Sequence, residues 1–436
     1  MRRILIAICM MVGATTAQAE IDVQEITSPG GINAWVVEEP SIPFVALEIR
    51  FRGSASLDLP GKRGATNLMT GLLEEGAGDM TAQEFQTARE ALAASFGFRA
   101  YDDSLSISAE FLTESQDEAL ALLRQAIINP TFEQDALDRV RAQVLSGIAS
   151  DEKDPNSIAS AAFDAGAFGD HPYGTAIDGT VDSINGLTRD DMITAHQNAL
   201  VRDRIYVSVV GDITAAQVGP MLDELLGALP ATGPALPDDV AFGLQGGVTV
   251  IDYDTPQAVA LFGHAGMKRD DADFFAAYII NHVLGAGGFE SRLMNEVREK
   301  RGLTYGIGTS LVPKFHAEMI IGRVASDNST IAEAIAVTRD EWQRMADGGL
   351  SAEELTFAKT FLTGEYPLRF DGNSEIAKIM VGMQMIDLPP SYVVDRNDFI
   401  DAVTLDDISR VAAELLQPEN LHFVVVGKPE GLESTQ

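Results

Sequence analysis

Histidine, cysteine and the glycine-rich turns are where this 436-residue chain could carry chemistry, and their spacing narrows the choices at once. Six histidines occur, at His171, His196, His264, His282, His316 and His422, and no two lie within ten residues of one another. Two zinc ligands on one helix face need histidines four residues apart, so neither H-E-x-x-H nor H-x-x-E-H can be found anywhere in the chain. Cys9 is the only cysteine, which removes thiolate metal clusters and internal disulfides. A scattered metal site assembled only in three dimensions stays open. The glycine cluster GAGGFESRL, Gly285 to Leu293, superficially suggests a phosphate loop. It follows a helical pattern rather than a strand, and no Lys-Ser/Thr closes it, so a helix C-cap and tight turn fits better.

The stretch after that cluster is more specific. Residues 290–305 read ESRLMNEVREKRGLTY, with Leu293 and Val297 on one helical face and Gly302 as the stop. LTYGIGTSL then reads as a strand. Its alternation puts Tyr305, Ile307 and Thr309 on one face and Thr304, Gly306 and Gly308 on the other. A strand lined by Gly306 and Gly308 lets a second backbone come close, as when a bound peptide adds a strand.

The elements that must position these residues are written twice. TRDDM at 188–192 pairs with TLDDI at 404–408, and IYVSVVG at 205–211 with LHFVVVG at 421–427, both at an offset of 216. EALALLR at 118–124 pairs with EAIAVTR at 333–339 at 215, and VALEI from Val45 with VALFG from Val259 at 214. Offsets this steady imply two homologous halves. In the first half, AWVVEEP, FVALEIRFRG and the strictly alternating SLSISAEFL (104–112) read as strands. Helices are expected over 63–75, 82–96, 116–128 and 133–148. The second half repeats the order with strands GVTVIDY, AVALFGH and MIIGRVA, a helix over 271–284, and helices from Thr330 and Ala352. GALPATGPALPDD, with Pro230, Pro234 and Pro237, reads as the linker between the halves. The expected fold is α+β: two homologous domains, 20–232 and 233–436, each a mostly antiparallel sheet with helices packed on one face.

Composition excludes some partners. There are 31 Lys+Arg against 65 Asp+Glu, a net charge of −34, which repels nucleic acid and anionic lipid. The acids are spread rather than blocked, as on a solubilising surface. Residues 1–19 read as a signal peptide: Arg2 and Arg3, an apolar run from Ile4 to Val12, and Ala17-Gln18-Ala19 before the expected cleavage. Cys9 would leave with it. The expected location is periplasmic or secreted, and no later run is long enough to span a membrane.

With these residues in place the chain resembles the pitrilysin and mitochondrial-processing-peptidase family of inverted zinc metallopeptidases. The run from Asn281 to Tyr305, N-x-x-L-G-x-G-G-F-x-S-R-L-x-x-E-V-R-E-K-R-G-L-T-Y, is similar to the signature of that family's C-terminal domain. HPYGTAIDGTVDSINGLTRDDM (171–192) resembles its N-terminal domain. The resemblance covers roughly residues 23–429 and implies that the two halves form half of a clamshell chamber. It also implies where zinc should be held. The family's H-x-x-E-H meets GATNLMTGLLEEG here, so Asn67, Thr70 and Gly71 stand at the first histidine, the general-base glutamate and the second histidine. The downstream glutamate ligand meets Gly147, or Ser146. None of these can replace imidazole and carboxylate around zinc.

The family's arginine and its tyrosine seven residues later are matched by Arg298 and Tyr305. The resemblance implies that they reach a substrate held at zinc, as catalytic and substrate-binding residues alongside Gly306 and Gly308. Without the family context the pair also reads as a surface charge beside Glu299 and a sheet-packing aromatic. His171 and Asn281 fit turns and packing. The expectation is a subunit with no metal of its own, whose partner is a homologous H-x-x-E-H chain carrying the zinc, the pair cutting peptides. A non-catalytic scaffold or peptide-binding protein of the same fold is the alternative, and an autonomous peptidase with a non-standard metal site a third.

Overall fold

The computed structural model describes residues 21–435, so the expected signal peptide and Cys9 lie outside the described residues. The first half is built on a sheet of six strands: β1 Gln24–Thr27, β2 Asn33–Glu38, β3 Phe44–Arg52, β6 Ser95–Ala100, β7 Ser104–Leu112 and β8 Ile205–Gly211. The short strands β4 Gly76–Ala77 and β5 Met80–Thr81 form a separate pair. The order is β1-β2-β8-β3-β7-β6, and only β2 and β8 run parallel. Alternation decides the faces: Val45, Leu47, Ile49 and Phe51 of β3 point into a core with Leu68, Phe85, Leu123, Leu137 and Leu222 from helices of the same half.

The second half repeats the plan with β9 Gly247–Asp252, β10 Gln257–Ala265, β11 Ile307–Pro313, β12 Glu318–Asp327 and β13 His422–Gly427. The order is β11-β12-β10-β13-β9, again with one parallel pair, β13 with β9. Superposing β8 on β13 at an offset of 216 and following the ladders places Val45 on Ala258, an offset of 213 rather than the 214 read from VALEI and VALFG. Ala258, Ala260 and Phe262 face the helices of their own half, as Val45, Leu47 and Ile49 do, whereas Val259 faces the opposite side. A one-residue slip in a strand exchanges its faces, so burial settles the alignment.

The two halves exchange a helix. The outer face of the second sheet, with Val259, Leu261, Val424 and Val426, packs on Phe163 and Ala159 of the helix Pro155–Phe168 from the first half. The outer face of the first sheet, with Trp35, Val37, Ala46 and Val210, packs on Ala377, Met380 and Met383 of the helix Asn373–Met385 from the second. No regular element occurs between Gly227 and Gly246, but this stretch is not loose. The Phe242 ring sits 5.8 Å from that of Phe163 and 6.1 Å from that of Phe168. The β11–β12 turn also reaches the first half, where Lys314 Nζ donates to Asp102 Oδ2 (2.7 Å) and His316 N to Tyr173 Oη (3.2 Å).

Several boundaries move. The helix expected over 63–75 is Ala65–Thr70, and that over 82–96 is Ala82–Ala91, because the chain turns at Leu92 and starts β6. The helix over 271–284 is regular only over Phe274–Asn281 and then widens.

Candidate functional site

Arg298 and Tyr305 are positioned by the segment 291–307. It begins as a helix anchored by Arg292, whose Nε and Nη2 donate to Glu354 Oε1 (2.7 Å) and Oε2 (2.8 Å). That forked, charge-assisted pair pushes the Glu354 carboxyl down to about 2. From Met294 to Glu299 the helix widens, with Lys300 N donating to Asn295 O five residues back (2.9 Å). His282–Ala286 widens in the same way, Gly287 N donating to His282 O (2.7 Å). Such wide turns are rare in proteins and concentrate at functional sites. Gly302, at φ +64°, ends the helix in the left-handed conformation that glycine adopts at little cost.

The basic residues here are not equivalent. Arg292 is held by Glu354, and Arg301 Nη1 donates to Glu296 Oε2 (2.7 Å). Among the described residues Arg298 has only Glu299 Oε1 at 3.5 Å, and its guanidinium lies 4.7 Å from the centroid of the Phe289 ring. Phe289 is itself 63 % exposed. Sequence reasoning missed this ring; a large aromatic placed directly after two glycines was the available signal.

Tyr305 is 85 % exposed, and its hydroxyl has no partner among the described residues. It lies outside the strand, which starts at Ile307 rather than Leu303, and it does not share the buried face of Ile307 and Thr309. The cause is Thr304: its buried hydroxyl donates to Ala325 O (2.6 Å) and accepts from Gly306 N (3.1 Å), turning the backbone through Tyr305 before the ladder begins. Gly302 N bonds to Arg298 O (2.8 Å) and Leu303 N to Val297 O (3.0 Å), which tie the turn between Arg298 and Tyr305 while both functional groups reach solvent. Gly306 is exposed, with open space where a Cβ would stand, whereas Gly308 lies on β11, an edge strand, with Gly285 O 3.3 Å from that point.

The degenerate zinc positions are occupied by structure-making residues. Asp58 caps the helix 65–70, accepting from Gly64 N (2.8 Å), Thr66 N (2.9 Å) and Thr66 Oγ1 (2.7 Å). Asn67 Nδ2 donates to Asp178 Oδ1 (2.6 Å), and Thr70 Oγ1 donates back to Asn67 O (2.8 Å). Gly71 packs close to the helix Gln134–Asp151: a Cβ there would stand 3.0 Å from Val140 Cγ1. Gly147 and Ser146 lie exposed two turns further along that helix. With the amide and hydroxyl engaged and two positions glycine, these residues do not fit zinc. Among the described residues no three His, Cys, Asp or Glu converge on a metal-holding geometry.

Four of the histidines do structural work. His264 Nε2 accepts from Trp342 Nε1 (2.9 Å), His196 Nε2 meets Ile127 O (2.7 Å), and His422 Nδ1 meets Gln245 O (2.6 Å). His171 Nδ1 accepts from Tyr173 N (3.2 Å), the turn role expected of it.

A duplicated α+β chain with exchanged helices, an exposed Arg–Tyr segment and a dismantled zinc helix defines a class. Residues 37–181 match insulinase (peptidase family M16), and residues 186–362 match the peptidase M16 inactive domain. A non-peptidase homolog, YmxG, of Helicobacter pylori is 26 % identical over 390 residues, covering 89 % of this chain and 90 % of that one. An uncharacterized zinc protease of Streptomyces coelicolor is 27 % identical over 402 residues, covering 90 % and 87 %. The crystal structure of a peptidase M16 inactive domain from Pseudomonas fluorescens matches with a TM-score of 0.88 at 27 % identity, over 95 % of this chain and all of that one. The chain belongs to peptidase family M16, as a member that lacks the zinc motif.

Proposed function

We propose that this chain is the non-zinc-binding subunit of a heterodimeric zinc endopeptidase, working in the periplasm or outside the cell. The observation that carries the reading is the contrast between its two halves. The first has replaced every metal-holding position, while the second holds a half-buried Arg298 and an exposed Tyr305 on a tied backbone. A second chain with H-x-x-E-H would hold zinc and activate water. Arg298 would grip a peptide carbonyl or carboxylate with its forked donors. The Tyr305 hydroxyl would donate to the oxyanion of the tetrahedral intermediate, where one donor contributes ~2.7–4 kcal/mol. Exposed Gly306 would let the peptide backbone lie close. The dismantled zinc helix, the match to the peptidase M16 inactive domain and the non-peptidase homolog of Helicobacter pylori support a chain that is non-catalytic alone.

Reconstitution tests this. The chain is mixed with a homologous H-x-x-E-H chain from the same genome, and zinc content and cleavage of a fluorogenic peptide are measured for each chain and for the mixture. The reading expects zinc only in the partner and cleavage only in the mixture. Full cleavage by the partner alone would leave this chain a scaffold or peptide-binding protein.

A further inference from the structure

One residue upstream of Phe289, the ring that Arg298 stacks on, the chain forms a solvent-open pocket of about 310 Å³. One wall is the bare backbone of Gly287 and Gly288. Beside it the rings of His282 and Phe361 stack, 5.1 Å between centroids and 29° between planes, and a Cβ on Gly287 would stand 3.3 Å from His282 Nε2. Two polar side chains line the cavity from the interior, Asn281 at 4 % exposure and His282 at 9 %. Asn281 Oδ1 accepts from Thr309 Oγ1 (2.8 Å), which fixes the orientation of the amide. Its Nδ2 has no partner among the described residues, and neither ring nitrogen of His282 has one. Burial holds the His282 imidazole below its ordinary pKa, so at neutral pH it presents one donor and one acceptor nitrogen. Glu365 is the only charged residue on the lining. These groups open onto solvent in the pocket, a space large enough for an aromatic side chain.

The complement can be read from this inventory. A flat ring suits a lining of glycine backbone and aromatic rings, provided that its edge carries one group able both to accept and to donate. A benzyl side chain would leave Asn281 Nδ2 unanswered. A guanidinium or ammonium could pair with Glu365, but it offers donors only and would meet that amide donor to donor. A carboxylate would face Glu365. We propose that this cavity is a tyrosine-selective side-chain subsite, the phenol oxygen accepting from Asn281 Nδ2 and its hydrogen going to the imidazole of His282. Its physiological ligand, a peptide lying across Arg298, rests on the function proposed above; its selectivity rests on the cavity alone.

The test therefore uses the full chain without a partner. N-acetyl-L-tyrosinamide, N-acetyl-L-phenylalaninamide and N-acetyl-L-argininamide are titrated in turn and followed by NMR. The tyrosine probe should bind about ten-fold tighter than the phenylalanine probe, the effect of one buried hydrogen bond. Asn281→Ala should erase that difference. Because Asn281 also holds Thr309, the half-exposed Phe361→Ala serves as the second variant and should weaken the tyrosine probe. Equal or tighter phenylalanine binding would make the cavity a plain apolar slot, and tighter arginine binding a cation site. Either result, no saturable tyrosine binding, or binding indifferent to Phe361→Ala overturns the proposal and leaves the reconstitution result untouched.

Discussion

Replacing Glu48 by glutamine should stabilise this protein, and by an amount that depends on pH. Glu48 lies on β3 with its side chain on the face that Asn373–Met385 covers, and the residue is 4 % exposed. Burial pushes its carboxyl from an ordinary 4.5 up to about 7, against the opposing pull of Arg50 and Lys378. Between those two values the folded chain holds a proton that the unfolded chain has released. Stability therefore falls as pH rises through this window, and the full cost is felt above pH 7. At ~1.4 kcal/mol per pH unit the displacement corresponds to about 3 kcal/mol. Glu48→Gln keeps the shape of the protonated acid and removes the titration. Urea unfolding of both proteins at pH 4.5 and pH 8 should give nearly equal stabilities at the lower pH and a gain of about 2–3 kcal/mol for the variant at the higher. An equal difference at both values, or a loss at pH 8, would refute the claim that a buried carboxyl sits under the exchanged helix.

Two further outcomes follow from the packing. Phe163→Ala empties a fully buried ring from the other exchanged helix and should cost ~3–5 kcal/mol in the same unfolding assay; a loss under 1 kcal/mol would mean that the helix barely holds the second sheet. Thr304→Val keeps the shape but removes the hydroxyl that ties Ala325 O to Gly306 N. It should lower stability by ~1–3 kcal/mol and speed hydrogen exchange at the Gly306 amide, whereas unchanged exchange would show that Tyr305 is positioned by other means.

The duplication and most strands were readable because they depend on local pattern: the alternation in SLSISAEFL marks β7 to the residue. The helix exchange was not readable. Residues 155–168 and 373–385 carry apolar faces, but an amphipathic pattern says only that a face is covered, not by which sheet. The offset of β3 was misread by one because VALEI and VALFG match in letters while burial pairs Val45 with Ala258. Alternation also carried the strand back through Tyr305, where a side-chain hydroxyl, Thr304, competes with the ladder and wins. Arg298, Tyr305 and the lost zinc ligands were singled out by resemblance to the family; the spacing alone also fits a surface charge and a sheet-packing aromatic. The stacking of Arg298 on Phe289 and the anchoring of the helix by Arg292 to Glu354 needed three dimensions.

The central claim is that Arg298 and Tyr305 complete an active site whose zinc sits in another chain. The most direct measurement is the peptidase rate of the mixture with wild type, Arg298→Ala and Tyr305→Phe, with complex formation checked by gel filtration. The account predicts intact complexes and, for Tyr305→Phe, a fall of about 10²–10³ in kcat, the effect of removing one oxyanion donor. Unchanged rates in fully assembled complexes would contradict it.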